Sequence, residues 1–212
     1  MFVYHLDRSK TLKAGQDIRL SPKSELPPDL ADSEFIAQFD GGISLHGMQY
    51  LDLSCTKHPY FVGQNGNILF DHFTISAQLN IADMRILEYG VELVRRAHFP
   101  QYPSRYQSLF AVRETKDLQL WPELITQSDI QPSHIFQIET HNKTDCFDAN
   151  WLRGGLIHNI SGDKYYLAYA PTLCFDLAFK YWSKVASDLP RWEYLLPLPI
   201  DADRIRQLPT LP

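Results

Sequence analysis

Two polar side chains interrupt runs that are otherwise apolar. His5 lies inside Phe2-Val3-Tyr4-His5-Leu6, and Glu193 inside Trp192-Glu193-Tyr194-Leu195-Leu196. An imidazole or a carboxylate taken out of water is costly unless it is bonded, paired or used. His5 is therefore either a core histidine satisfied by backbone or a group that holds a ligand. If Trp192, Tyr194 and Leu196 face one side of a strand, Glu193 shares the other side with Leu195. It is then either half-buried and employed, or an edge-strand carboxylate turned to water. A third unusual stretch is Phe99-Pro100-Gln101-Tyr102-Pro103-Ser104-Arg105-Tyr106-Gln107-Ser108-Leu109-Phe110-Ala111. Arginine with hydroxyls clamps a phosphate or carboxylate, and an aromatic ring stacks on a flat ligand. A helix-to-strand connection tied by an ion pair would carry the same residues.

The elements that must position these groups are readable in outline. Phe2 to Leu6 reads as a strand, followed by a second short run at Asp17-Ile18-Arg19-Leu20. Residues 21–32, with Pro22, Pro27 and Pro28, read as an ordered Pro-rich loop. Residues 40–75, broken by Gly41, Gly42, Gly47, Gly63 and Gly66, read as short strands and turns. The clearest helix runs from Ile81 to His98. Asn80 is the expected N-cap, and Asp83 suits the positive end of the helix dipole. Ile81, Met84, Leu87, Val91, Val94 and Ala97 form one apolar stripe, with Arg85, Glu88, Glu92, Arg95 and Arg96 on the other faces. Ser108 to Val112, Ile135 to Glu139 and Tyr165 to Ala170 read as strands, and Thr115 to Trp121 as a short helix. Pro171 opens a helix through Tyr181. Trp192 to Ile200 is the last strand, and Pro197 and Pro199 suggest an edge position or an early end. Irregular alternation of strands and helices predicts one domain over 1–212, a mixed sheet with helices packed on it.

Composition narrows the function classes. A net charge of −5 disfavours a large nucleic-acid footprint. No run approaches the ~20 apolar residues of a membrane span, and the opening residues lack the pattern of a secretory leader. Three cysteines, Cys55, Cys146 and Cys174, have no metal spacing and fit reduced thiols in a cytoplasm. Cys146 follows His141 and Asp145, but without a second close pair a surface loop is the plainer reading. His46, His58, His72, His98, His134 and His158 are scattered singly, as structural or solvated histidines usually are. There is neither a P-loop nor a dinucleotide fingerprint, and the Gly-Gly pairs at 41–42 and 154–155 read as turns.

Taken together, the three unusual stretches resemble the ADP-ribosyltransferase fold of the histidine–tyrosine–glutamate type. Tyr4-His5-Leu6 is similar to the family's opening strand, whose histidine holds the NAD ribose. It is followed by a polar turn, Asp7-Arg8-Ser9, and by Gly15. Leu109-Phe110-Ala111 with Thr115-Lys116-Asp117 resembles the middle strand and the helix after it. Glu193-Tyr194-Leu195-Leu196 resembles the closing strand. Leu6 stands where many members have glycine. Arg191 stands where the arginine-directed branch has a second glutamate, so an arginine acceptor is not expected. The resemblance implies an α+β fold: a mixed, mostly antiparallel split sheet around an NAD cleft, with packed helices. It implies His5, Tyr106 and Glu193 as catalytic residues, with Phe110 the alternative to Tyr106 as stacking ring. Arg8, Ser104, Arg105, Ser108 and Phe110 would contact NAD, which is a substrate; no metal is implied. The acceptor would be a protein or a nucleic acid. His5 and Glu193 are expected on neighbouring strands beside one cavity.

Overall fold

The structure, a computed structural model, describes residues 1–51, 72–121, 130–131, 134–140, 144–152, 155–161, 164–169 and 171–209. Side chains are described in these segments except at 29, 72–84, 155–161, 164–169 and 171–173. Cys55, His58 and His141 lie outside the described residues, as do the expected turn around Gly63 and Gly66 and Gly154 of the second glycine pair.

The apolar run at the N-terminus forms β1 (Phe2–Leu6), which pairs with β3 (Ile135–Glu139), and β3 pairs with β8 (Ile205–Gln207). A second sheet places β7 (Trp192–Pro197) between β2 (Ser108–Ala111) and β4 (Asp145–Asp148). β5 (Gly155–Ser161) and β6 (Lys164–Tyr169) form a separate hairpin. Every described strand pair is antiparallel, so the expected mixed character is not found among the described residues. The fold class is α+β.

The two three-stranded sheets meet at one bridge, where Tyr4 and Val112 exchange backbone hydrogen bonds of 2.8 Å. On one side of that junction Val3, Leu109, Ala111, Phe136, Ile138 and Leu196 join in a single core. On the other side, Leu195 and Phe147 pack against α4 (His72–His98) and α5 (Pro171–Trp182) through Leu87, Val91, Tyr181 and Trp182. β7 thus alternates as expected: Tyr194 and Leu196 face the first core, Glu193 and Leu195 the helices. It is a central strand, not an edge. The prolines act only at its end, because Pro197 is the last residue of the ladder and needs no N–H there.

Three further expectations are corrected. α4 begins at His72, nine residues before Ile81, so Asn80 is interior and not a cap. Asparagine inside a helix costs less than roughly 1 kcal/mol, which packing readily offsets. The Pro-rich loop contains α1 (Pro28–Ala31), with Pro28 in the first turn where its missing N–H is harmless, followed by α2 (Glu34–Ala37). Part of the glycine-rich region is helical: α3 (Leu45–Leu51) starts after Ser44, whose hydroxyl accepts from the Gly47 N–H at 2.9 Å. Gly41 and Gly42 do make the expected turn, at φ 80° and 108°. Gly47 has a different reason. A Cβ there would lie 2.4 Å from the Tyr106 carbonyl oxygen, so glycine permits the close approach of α3 to the turn before β2. Gly47→Ala is expected to push α3 away and cost about 1–3 kcal/mol, read as a lower urea midpoint. An unchanged midpoint would show that α3 is not held there.

Candidate active site

β1 and β2 cease to pair beyond the Tyr4–Val112 bridge. Two residues up β2, the Phe110 carbonyl takes a bond from the His5 ring, Nδ1 to oxygen 2.7 Å, where a strand N–H would otherwise reach. A carbonyl oxygen only accepts, so Nδ1 carries the proton. The ring is held neutral, because burial pushes its pKa below the ordinary histidine value. Nε2 is therefore an acceptor, and no described residue donates to it. The backbone-satisfied reading of His5 holds at Nδ1.

Glu193 is 7% exposed, and its carboxylate is bonded on one side only. Oε1 accepts from Arg105 Nη1 and from the Tyr181 hydroxyl, the latter at 2.6 Å. Oε2 has no partner among the described residues. Arg105 is itself buried. Its Nε and Nη2 fork onto both oxygens of Glu88 on α4 at 2.7 and 2.9 Å, and Nη1 also donates to the Tyr181 hydroxyl at 2.8 Å. The Glu193 pKa is raised, first by burial and further by Glu88, against the opposing pull of Arg105 and Tyr181.

Phe110 links the two groups. Its carbonyl holds His5, and the Arg105 guanidinium sits over its ring, 4.5 Å from the centroid. His46 on α3 meets the same ring edge to face at 4.4 Å, and its Nε2 is hydrogen-bonded to the Tyr50 hydroxyl at 2.6 Å. Phe110 thus touches His5 through its carbonyl and Arg105, the partner of Glu193, through its ring. His5 and Glu193 are not on neighbouring strands, however, since β2 lies between β1 and β7.

The other expected residues are placed differently. Tyr106 is 1% exposed, and its ring packs with Phe35, Phe39 and Tyr50 in a separate core. Ser104 donates to Glu92 at 2.9 Å and accepts from the Tyr106 N–H. Ser108 donates to the Ser104 carbonyl at 2.7 Å. Both hydroxyls fasten the turn. Arg8 is exposed beyond the end of β1, and its charge helps to lower the pKa of both His5 and His46. Cys146 lies in β4 instead of a surface loop, its thiol pushed up to about 11 chiefly by burial.

Sequence reasoning missed Glu88, His46, Tyr50 and Tyr181. Glu88 and Glu92 border the apolar stripe of α4, and that adjacency was the available signal. His46 and Tyr50 are four apart, a helical spacing hidden by the glycines around them.

Burial pushes the His46 pKa down from 6.5 to about 3, and that of His5 downward as well. A depressed histidine pKa favours the neutral form in the fold. The associated stability is present above pH 6.5 and is lost as pH falls from 6.5 toward 3. His46 should contribute on the order of 1 kcal/mol per pH unit in that window, and His5 acts in the same direction. Urea midpoints of the wild type should fall on acidification, and His46→Gln should flatten the dependence. Parallel curves for the two proteins would exclude His46 as a source.

Over residues 3–207 the chain matches the family model described as protein of unknown function (DUF2441), and it belongs to that family. No curated protein matches the chain. Among the described residues, no helix is long and apolar enough to cross a membrane.

Proposed function

We propose that the chain is a mono-ADP-ribosyltransferase, moving ADP-ribose from NAD to a protein or nucleic-acid acceptor through an oxocarbenium-like transition state. The observation that carries this reading is the pair of open acceptors beside Phe110. His5 Nδ1 is bonded to the Phe110 carbonyl and Glu193 Oε1 to Arg105 and Tyr181, while His5 Nε2 and Glu193 Oε2 have no donor among the described residues. A ribose offers hydroxyl donors to such a pair. Cleaving the nicotinamide–ribose bond develops positive charge on the sugar, as in glycoside hydrolysis, and a fixed carboxylate stabilises it. His5 would orient the ribose, and Phe110 would offer its ring to nicotinamide. In this reading the NAD cleft is the split between β1 and β2.

Arg105 partly neutralises Glu193, and that favours a second reading, a non-catalytic interaction protein on the same scaffold. An NAD glycohydrolase would use the same residues with water as acceptor. The discriminating experiment supplies NAD with and without cell extract, measuring nicotinamide release and ADP-ribose attached to macromolecules. Transfer is the expected result. Free ADP-ribose alone would assign hydrolysis, and no nicotinamide under either condition would leave the interaction reading standing.

A further inference from the structure

Arginine facing a single carboxylate frequently takes both of its oxygens in a fork. Arg105 faces two carboxylates and forks onto Glu88, not Glu193. Nε and Nη2 are spent on Glu88 at 2.7 and 2.9 Å, which leaves Nη1 to serve Glu193 and Tyr181 together. The consequence is geometric: Glu193 is held by one oxygen, and the other has no partner among the described residues. Both acidic groups and the guanidinium are buried, so water does not compete for these bonds. Tyr181 from α5 and Arg105 from the turn before β2 converge on one carboxylate oxygen, and Glu88 from α4 holds the rest of the guanidinium.

We infer that Glu88 is a positioning residue: by occupying the arginine fork it keeps Oε2 of Glu193 free for ligand, while Tyr181 holds Oε1 in place. The charged and titratable groups around Glu193 are Glu88 and Arg105, Tyr181 on α5, Tyr50 on α3 and Cys146 on β4. Replacing Glu88 by glutamine removes its charge and one of the two acceptor oxygens, which frees one donor of Arg105. The fork then closes on Glu193, covering Oε2 and lowering its proton affinity, since one negative neighbour is gone and one positive partner is fully engaged.

The test is the carboxyl titration of Glu193, followed by carbon NMR in protein labelled at glutamate side chains. It is read in the wild type, Glu88→Gln and Tyr181→Phe. Glu88→Gln should move the Glu193 midpoint to lower pH. Tyr181→Phe should move it to higher pH, because a bond to the ionised form is lost. An unmoved or raised midpoint in folded Glu88→Gln overturns the inference. If Glu88→Gln fails to fold, an unmoved midpoint in Tyr181→Phe overturns it. These readings need no NAD. The kinetic arm alone rests on the proposed transferase activity: Glu88→Gln should lower kcat for nicotinamide release by about 10²-fold, the typical penalty for misplacing a reacting group. Unchanged kcat in an active enzyme would overturn the inference. No wild-type turnover would count against the transferase reading, while the titration still decides the fork.

Discussion

Glu193→Gln is expected to reduce nicotinamide release by about 10²–10³-fold, the usual cost of losing one electrostatic stabiliser. The amide keeps the shape and an acceptor for Arg105 and Tyr181 at the Oε1 position. It loses the charge, which matters most when the ribose becomes cationic, so kcat should fall more than NAD affinity. The fold should not suffer. Burial already raises the Glu193 pKa, meaning that the ionised carboxylate costs stability at neutral pH. Arg105 meanwhile keeps its fork on Glu88. The melting temperature of Glu193→Gln should therefore equal or exceed that of the wild type. Equal turnover in an active wild type and the variant would remove Glu193 from the mechanism. Lost turnover with a collapsed melting curve would make its role structural.

Tyr106→Ala should lose about 3–5 kcal/mol of folding stability, the range for truncating a buried aromatic. The position in the sequence suggests a ring stacked on nicotinamide, with a raised Michaelis constant on truncation. The structure surrounds the ring with Phe35, Phe39 and Tyr50 at centroid distances of 5.4 to 5.9 Å, beneath α3. A loss of that size is a large share of the roughly 5–15 kcal/mol that holds a domain together. Thermal and urea unfolding of Tyr106→Ala and Tyr106→Phe measure it, and the phenylalanine variant should stay close to wild type. Wild-type stability in Tyr106→Ala together with weakened NAD binding would restore the stacking role. On the present geometry that weakening belongs to Phe110→Ala, whose ring is half-buried between Arg105 and His46.

Strands and helices with a strong apolar period were legible: β1, β2, β3, the C-terminal two thirds of α4 and all but the last residue of α5 follow from local pattern. His5 and Glu193 were legible as exceptions to that pattern, since a polar group in an apolar strand must be bonded or used. Local residue types also marked the segment around Arg105. What they did not carry was partnership. Arg105 is 17 residues from Glu88, 76 from Tyr181 and 88 from Glu193, and each of these pairs forms only when α4, α5 and β7 pack together. Gly47 shows the same limit. Its residue type signals a turn, yet its cause is a backbone from another segment 2.4 Å away from any Cβ it could have. Alternation along the chain determined which face a side chain takes. Tertiary packing decided that Tyr106 is core, that Glu88 and Tyr181 stand beside Glu193, and which of its two oxygens is left open, because burial and charge pairing are set by neighbours distant in the chain.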